Sequence, residues 1–260
     1  MIPGRGGRPP ARPAARARPL WDRRRLAKVS VVGTVLAVVL VGGGAAVSPA
    51  LDVDQIVVEG VRRTPEAEVT AATGLRRGAA MATLDAGDAA DGVEDLPWVE
   101  RATVERRWPG TVAVEVVERA PAAALAAPDG RWVLVDDDGH RLARVRTPER
   151  TLVTVEGLGE AAGGPLGDRV PRPARGAVEL AHLLPATVRY RLPRIGVLSG
   201  GALLCKVRSV DGEDALARLG PPERLREKVI ALATILESSD LRGVERIDLR
   251  VPVAPVLTRR

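Results

Sequence analysis

His140, His182, Cys205 and the run Asp136-Asp137-Asp138 are the side chains of this 260-residue chain whose types lend themselves to chemistry. A cysteine within reach of a histidine makes a thiolate nucleophile with its base, and clustered carboxylates make a cation site. The spacing speaks against both. Cys205 falls inside the apolar stretch 202–207 and reads as a small core hydrophobe. His140 lies in a turn, and His182 sits on a helix-patterned stretch. The three aspartates are consecutive, whereas a calcium loop spaces its oxygen ligands along a longer segment, so they read as a solvated turn. No glycine-rich phosphate loop follows a strand. The residues predict no catalytic centre, no metal, no cofactor and no small-molecule substrate, with a Cys–His pair as the enzymatic alternative.

The elements that position these residues begin with an apolar run. Residues 29–51 carry no charged side chain and follow 28 residues that hold nine Lys/Arg and only Asp22 as an acid. At about 1.5 Å per residue, 29–47 spans roughly 28 Å as a helix, close to the ~30 Å hydrocarbon core of a bilayer. The reading is a basic, disordered cytoplasmic tail over 1–28, Pro/Gly/Arg-rich, and a transmembrane helix over 29–49. Arg23, Arg24, Arg25 and Lys28 are the topology signal that keeps the N-terminus cytoplasmic and turns residues from 50 onward outward. A cleaved signal peptide is the alternative, which Gly44, Ala45 and Ala46 would suit. The long basic region and an apolar run beyond the ~7–15 residues of a signal favour a retained anchor.

The formal charge of +6 belongs to the tail: beyond residue 28 there are 30 basic against 32 acidic residues. With so little net charge and few aromatic rings for base stacking, the outer part is not a nucleic-acid binder. A single cysteine allows no intramolecular disulfide, and with no Phe and one Tyr the core must be built from Val, Leu, Ile and Ala.

Residues 51–120 read as one unit. Ile56 and Val58 alternate with polar neighbours up to Gly60. Thr64-Pro65-Glu66 has the form of a helix start, with a hydroxyl at N-cap and proline at N1, and Gly74 stands at C′. A second helix falls near 85–95. Ala102 and Val104, then Val112, Val114 and Val116, alternate on either side of Trp108-Pro109-Gly110, which is a hairpin. Residues 121–251 read as a β-rich unit with helices. Strands are expected at 131–135 and 141–145 around the aspartate turn, at 152–155, and at 202–207 and 215–219 around Asp211-Gly212. Helices are expected at 175–184 and after Pro221-Pro222, where Leu225, Val229, Leu232 and Leu236 form a stripe with Glu223, Arg224, Glu227 and Lys228 off it. The last strand is 246–251, with Ile247, Leu249 and Val251 on one face, and 252–260 is a C-terminal tail. The fold class is α+β.

The stretches IVVEGVRRTPEAEVTAATGL (56–75), LPWVERATVERRWPGTVAVEVVERAPAAAL (96–125), RWVLVDDDG (131–139), PPERLREKV (221–229) and RIDLR (246–250) carry a likeness. The chain resembles the FtsQ/DivIB family of bacterial cell-division proteins, from about residue 20 to 251. The resemblance implies a membrane-anchored POTRA domain (β-α-α-β-β) over 51–120 and an FtsQ-type β domain over 121–251. It implies a non-catalytic divisome scaffold in the cell membrane at the division septum, linking early and late division proteins. Implied partners are coiled-coil division proteins of the FtsB and FtsL type at the terminal strand, through Asp248, Leu249, Arg250 and Val251, and other divisome proteins through the POTRA domain. Val57 and Glu59 lie on the outer face of its first strand. Where the family continues with an aromatic and a glycine, this chain has Val251 and Pro252. Proline parity then predicts an open edge on the even residues, with added pairing stopping near 250. Trp98 and Trp108 read as packing and turn residues. A POTRA-containing component of an export or secretion machine is the alternative function.

Overall fold

The computed structural model describes residues 51–208, 214–238 and 241–259. The basic segment with Arg23, Arg24, Arg25 and Lys28 and the apolar run 29–49 lie outside the described residues. Among those described, no helix is long and apolar enough to cross a membrane.

The first core is built from β1 (Gln55–Glu59), α1 (Glu66–Ala72), α2 (Ala86–Glu94), β2 (Val99–Arg107) and β3 (Thr111–Glu118). The sheet order is β1-β3-β2, with β1 parallel and β2 antiparallel to the central β3. This is the β-α-α-β-β order of a POTRA domain. The period-2 alternation acts as expected: Ala102, Val104, Val112, Val114 and Val116 are buried on one face against Val69 of α1 and Val93 of α2. Asp85 caps α2, its carboxylate accepting the N–H groups of Gly87 and Asp88 at 2.9 and 3.2 Å.

The start of α1 differs from expectation. Pro65, not Thr64, is the N-cap. Thr64 instead donates its backbone N–H to the Glu118 carboxylate at 2.8 Å, and Arg63 donates to the same group at 2.9 Å. The turn before α1 is therefore held by the end of β3 rather than by its own hydroxyl. Burial pushes the Glu118 carboxyl up, but the N–H groups of Thr64, Arg63 and Arg62 outweigh it and hold the pKa below its ordinary value. A depressed folded pKa gives a stabilisation that is complete above the ordinary carboxylate value and lost as pH falls through the folded one. Glu118→Gln is expected to cost about 1 kcal/mol at neutral pH and to flatten the acid limb of the stability curve. Urea unfolding at neutral pH and from about pH 5 down to about pH 3 checks both parts.

The second sheet has nine strands: β4 (Ala123–Ala126), β5 (Trp132–Val135), β6 (Arg141–Val145), β7 (Val153–Glu156), β8 (Arg194–Val197), β9 (Leu203–Val207), β10 (Ala215–Gly220), β11 (Val244–Asp248) and β12 (Val256–Arg259). Their order is β12-β11-β10-β9-β8-β7-β4-β5-β6. The helices α3 (Arg172–Leu183), α4 (Ala186–Arg189) and α5 (Leu225–Ser238) complete the unit. Leu180 and Ala181 of α3, Val188 of α4 and Val229 and Leu232 of α5 share one core with Val155, Ile195, Cys205, Ala217 and Ile247 of the strands. On a separate cluster, Ala124, Leu134 and Leu142 are buried with Trp98 and Trp132 packed against them. Trp98, from the segment before β2, thereby joins the first unit to the second.

Three expectations are corrected. Residues 252–260 are not a tail, since Val256–Arg259 forms β12. Lys228 is not on the polar face of α5: it is 3% exposed, and its Nζ donates to the Pro221 carbonyl at 2.7 Å. Burial lowers its pKa. Asp136 is not solvated. Its carboxylate is buried, accepts the His140 backbone N–H at 2.6 Å and contacts the Arg119 guanidinium at 2.8 Å and His140 Nδ1 at 3.0 Å. Arg119 also donates from Nε to the Val99 carbonyl at 2.9 Å, while its backbone N–H donates to the Trp98 carbonyl at 2.7 Å. One arginine thus ties β2 to the β5–β6 turn.

Candidate functional site

Sheet edges are where this fold can take on another chain, because unpaired N–H and C=O groups there await partners. The two edges of the nine-stranded sheet are unequal. At β6, the Arg141 N–H donates to the Asp168 carbonyl at 3.0 Å and the Arg141 carbonyl accepts from Gly167 at 2.8 Å. His140 and Arg169 form a further bridge. The Arg141 side chain turns back under the same loop and donates to the carbonyls of Ala161, Ala162, Asp168 and Arg169, with burial lowering its pKa. That edge is covered. β12 ends the strand order on the other side, and among the described residues Val256, Leu257 and Thr258 have no ladder partner beyond β11.

The residues around β12 explain its position. β11 runs parallel to β10, and Leu249 continues the pairing by donating its N–H to the Arg218 carbonyl at 2.8 Å. The chain then turns. The Asp248 carboxylate accepts the Arg250 backbone N–H at 3.1 Å and its guanidinium at 2.7 and 3.0 Å. The Arg250 guanidinium, chiefly, holds the Asp248 carboxyl below its ordinary pKa. Pro252 is buried, and the Ala254 N–H closes the turn on the Val251 carbonyl at 3.1 Å. β12 returns antiparallel, pairing Val256 with Asp248 and Leu257 with Ile247. Leu257 packs against the core, while Val256 on the opposite face of the strand stays exposed.

The structure therefore redistributes the expected terminal-strand set. Leu249 is fully buried in the core with its N–H engaged, so it holds the strand and presents nothing outward. Asp248 and Arg250 form the ion pair of the turn. Val251 is exposed, contrary to its placement on one face with Ile247 and Leu249, because the strand ends at Asp248. The strand 246–251 is not an edge: β11 lies between β10 and β12. Pro252 sits in the turn and sets no edge parity. Val253 and Val256, which sequence reasoning missed, are 76% and 59% exposed, and with Val251 they make an apolar tip. Asp248, Arg250, Val251, Ala254 and Val256 line a concavity of about 390 Å³ there. Only the short β-prone run Val256-Leu257-Thr258, cut between Pro255 and the final arginines, could have hinted at it.

In the first sheet, Val57 and Glu59 lie on the edge strand β1, opposite Ala113 and Glu115 of β3. Glu59 is exposed and lies 3.8 Å from the Arg107 guanidinium, while Val57 is half-buried. The other edge, β2, is partly blocked: the Glu94 carboxylate takes the Ala102 N–H at 3.0 Å.

The residues able to do chemistry are dispersed. Cys205 is fully buried in β9, where burial raises its pKa to about 12, so it is an inert core thiol. His140 is locked between Asp136 on Nδ1 and Arg169, whose Nε lies 2.9 Å from Nε2. His182 is exposed, 3.8 Å from Asp137. Among the described residues, no group of three His, Cys, Asp or Glu could hold a metal. A groove of about 800 Å³ is lined by Arg150, Arg189, Arg194, Arg208 and Tyr190, and its one carboxylate, Glu149, is paired with Arg63 at 3.2 Å. That lining suits contact with an anion rather than proton transfer.

The family model described as "POTRA domain, FtsQ-type" matches residues 51–119. The chain is 29% identical to the cell division protein FtsQ of Streptomyces collinus, over 96% of this chain and 92% of that protein. It is 30% identical to FtsQ of Caulobacter vibrioides strain NA1000 over 75% of this chain, and 38% identical to FtsQ of Novosphingobium aromaticivorans over 41%. These matches span 60% and 33% of the two relatives. The extracytoplasmic domain of the division protein DivIB from Geobacillus stearothermophilus aligns in space at 16% identity and a TM-score of 0.31, over 46% of this chain and 95% of that one. That overlap is too loose to carry an argument.

Proposed function

Because the chain belongs to the FtsQ/DivIB family of bacterial cell-division proteins, we propose that it is a non-catalytic scaffold of the division machinery that docks a partner strand on β12. In this reading, residues 29–49 hold it in the cell membrane with the N-terminus cytoplasmic. The two sheets then lie outside, at the septum. The observation that carries the docking site is the open side of Val256–Thr258 in the end strand β12, beside Val251 and Val253, on a sheet whose other edge is covered. A segment next to a coiled coil of the FtsB and FtsL type adds as a tenth strand, its backbone paired to alternate residues of β12 and its apolar side chains over the valines. Asp248, Leu249 and Arg250 set the turn that presents the edge, and Val251 joins the contact. The POTRA edge strand β1, with Val57 and Glu59, is the second contact, for other division proteins.

A photocrosslinking residue at Val256 of the full-length protein in dividing cells tests this. Capture of a small coiled-coil membrane protein is the expected result. Septal localisation without capture at Val256 or Val253 removes the docking site and keeps the scaffold. Uniform envelope localisation without capture removes the division role and favours an export machine.

A further inference from the structure

The chain enters the first sheet under tight control. Val53 donates its N–H to the Ala79 carbonyl at 2.8 Å and accepts from Gly78 at 2.9 Å, while Asp54 and Gln55 donate to the Gly110 carbonyl at 2.7 and 3.1 Å. A Cβ at Gly110 would collide with the Asp54 carboxylate and the Asp52 carbonyl, so the hairpin tip lies directly on the entering strand. Only three residues, and so four Cα–Cα steps, separate Pro49, where the apolar run closes, from Val53. Extended, they reach at most about 14 Å, and the headgroup layer beyond the hydrocarbon is itself roughly 5–8 Å deep. This end of the first unit cannot stand far from the lipid if 29–49 spans the membrane.

The residues at that end suit the location. Trp108 is 55% exposed, unlike Trp98 and Trp132, which pack against the second sheet. Arg76 and Arg77 are exposed on the same end, beside the Gly78 and Ala79 contacts to Val53, and no hydrogen bond or ion pair engages their guanidinium groups among the described residues. Arg107 is committed to Glu115 at 3.3 Å, and Asp52 and Asp54 are the opposing charges. A tryptophan has an apolar body with one N–H donor and is favoured at headgroup level, where one part of the ring is dry and the other wet. The charges of Arg76 and Arg77 balance those of Asp52 and Asp54, so Trp108 supplies the attraction to the interface and the arginines supply donors for headgroup phosphates.

We propose that the Trp108-Pro109 tip, with Arg76 and Arg77 of the segment that also bonds the entering strand, rests on the outer leaflet and sets the tilt of the first unit on the membrane. This rests on 29–49 being a spanning anchor. The test is full-length protein in vesicles of phosphatidylethanolamine and phosphatidylglycerol, with lipids brominated near the headgroup as quenchers of tryptophan emission. The expected result is a quenched component that Trp108→Phe loses, and that Arg76→Glu with Arg77→Glu diminishes, all variants melting like the parent. Equal quenching in parent and Trp108→Phe, with the protein resistant to alkaline extraction, overturns the inference and leaves the anchor standing. Extraction by alkali overturns both.

Discussion

Arg119→Ala is expected to lose about 3 kcal/mol of stability, the lower part of the range for removing one partner of a buried ion pair. The reason is what stays behind. The Asp136 carboxylate has a side-chain exposure of 3%, and without Arg119 its negative charge keeps only the His140 contacts. The Val99 carbonyl loses its donor in the same step. Urea unfolding should show the midpoint falling with little change in slope, and a thermal midpoint lower by roughly 10 °C for a unit of this size. Arg119→Lys keeps the charge but cannot reach Val99 and Asp136 together, and should fall in between. Combining Arg119→Ala with Asp136→Asn should cost less than the sum of the single changes, because the double variant buries no unpaired charge. Distances between spin labels on the two units would broaden in Arg119→Ala if, as the contacts indicate, this arginine with Trp98 sets the angle between them. An unchanged midpoint and a sharp distance distribution would mean that Trp98 packing alone holds the joint.

The second large effect is on binding. Val253→Asp with Val256→Asp should weaken the docking of a partner strand about 100-fold, or some 2.7 kcal/mol. A valine buried against a partner contributes roughly 1.5 kcal/mol, and a carboxylate in its place must also be desolvated. The same double change should leave folding within about 0.5 kcal/mol, because both side chains are exposed in the free protein. Titration of the partner's extracytoplasmic segment, paired with thermal unfolding, measures both. Leu249→Ala is the contrasting variant. It empties a fully buried site and should cost about 2–5 kcal/mol of stability, so any loss of binding there reflects unfolding. Wild-type affinity in the double aspartate variant would rule out the β12 edge.

How much could be read beforehand depended on element length and, for the short strands, on a clear turn beside them, as β5 has in Asp136–Gly139. β2 and β3, nine and eight residues long, show enough alternation to fix both faces and the turn between them. β8 and β12 are four residues each, and β8 sits behind Pro193 and contains Gly196, so neither carries a periodic signal that separates it from loop. Polar residues went wrong for a different reason. Lys228 and Asp136 each have a sequence context that suits solvent, and each is buried because a group outside its own element meets it: the Pro221 carbonyl before the helix, and Arg119 just past the end of β3. Pairings at such separations leave no local trace. The error at the terminal strand combined both causes. An unrecognised short strand covered the recognised one, so the strand read as an edge lies inside the sheet.

β12 follows in the chain every strand of the sheet on which it is stacked. Its pairing partner β11 must already lie beside β10 before β12 has a template. A polypeptide still emerging, or one cut short within the last turn, therefore presents β11 with Asp248 unaccompanied instead of the valine-tipped edge. On the proposed docking at β12, a partner therefore meets a sheet in which β10 and β11 are already paired, since β12 has no template without them.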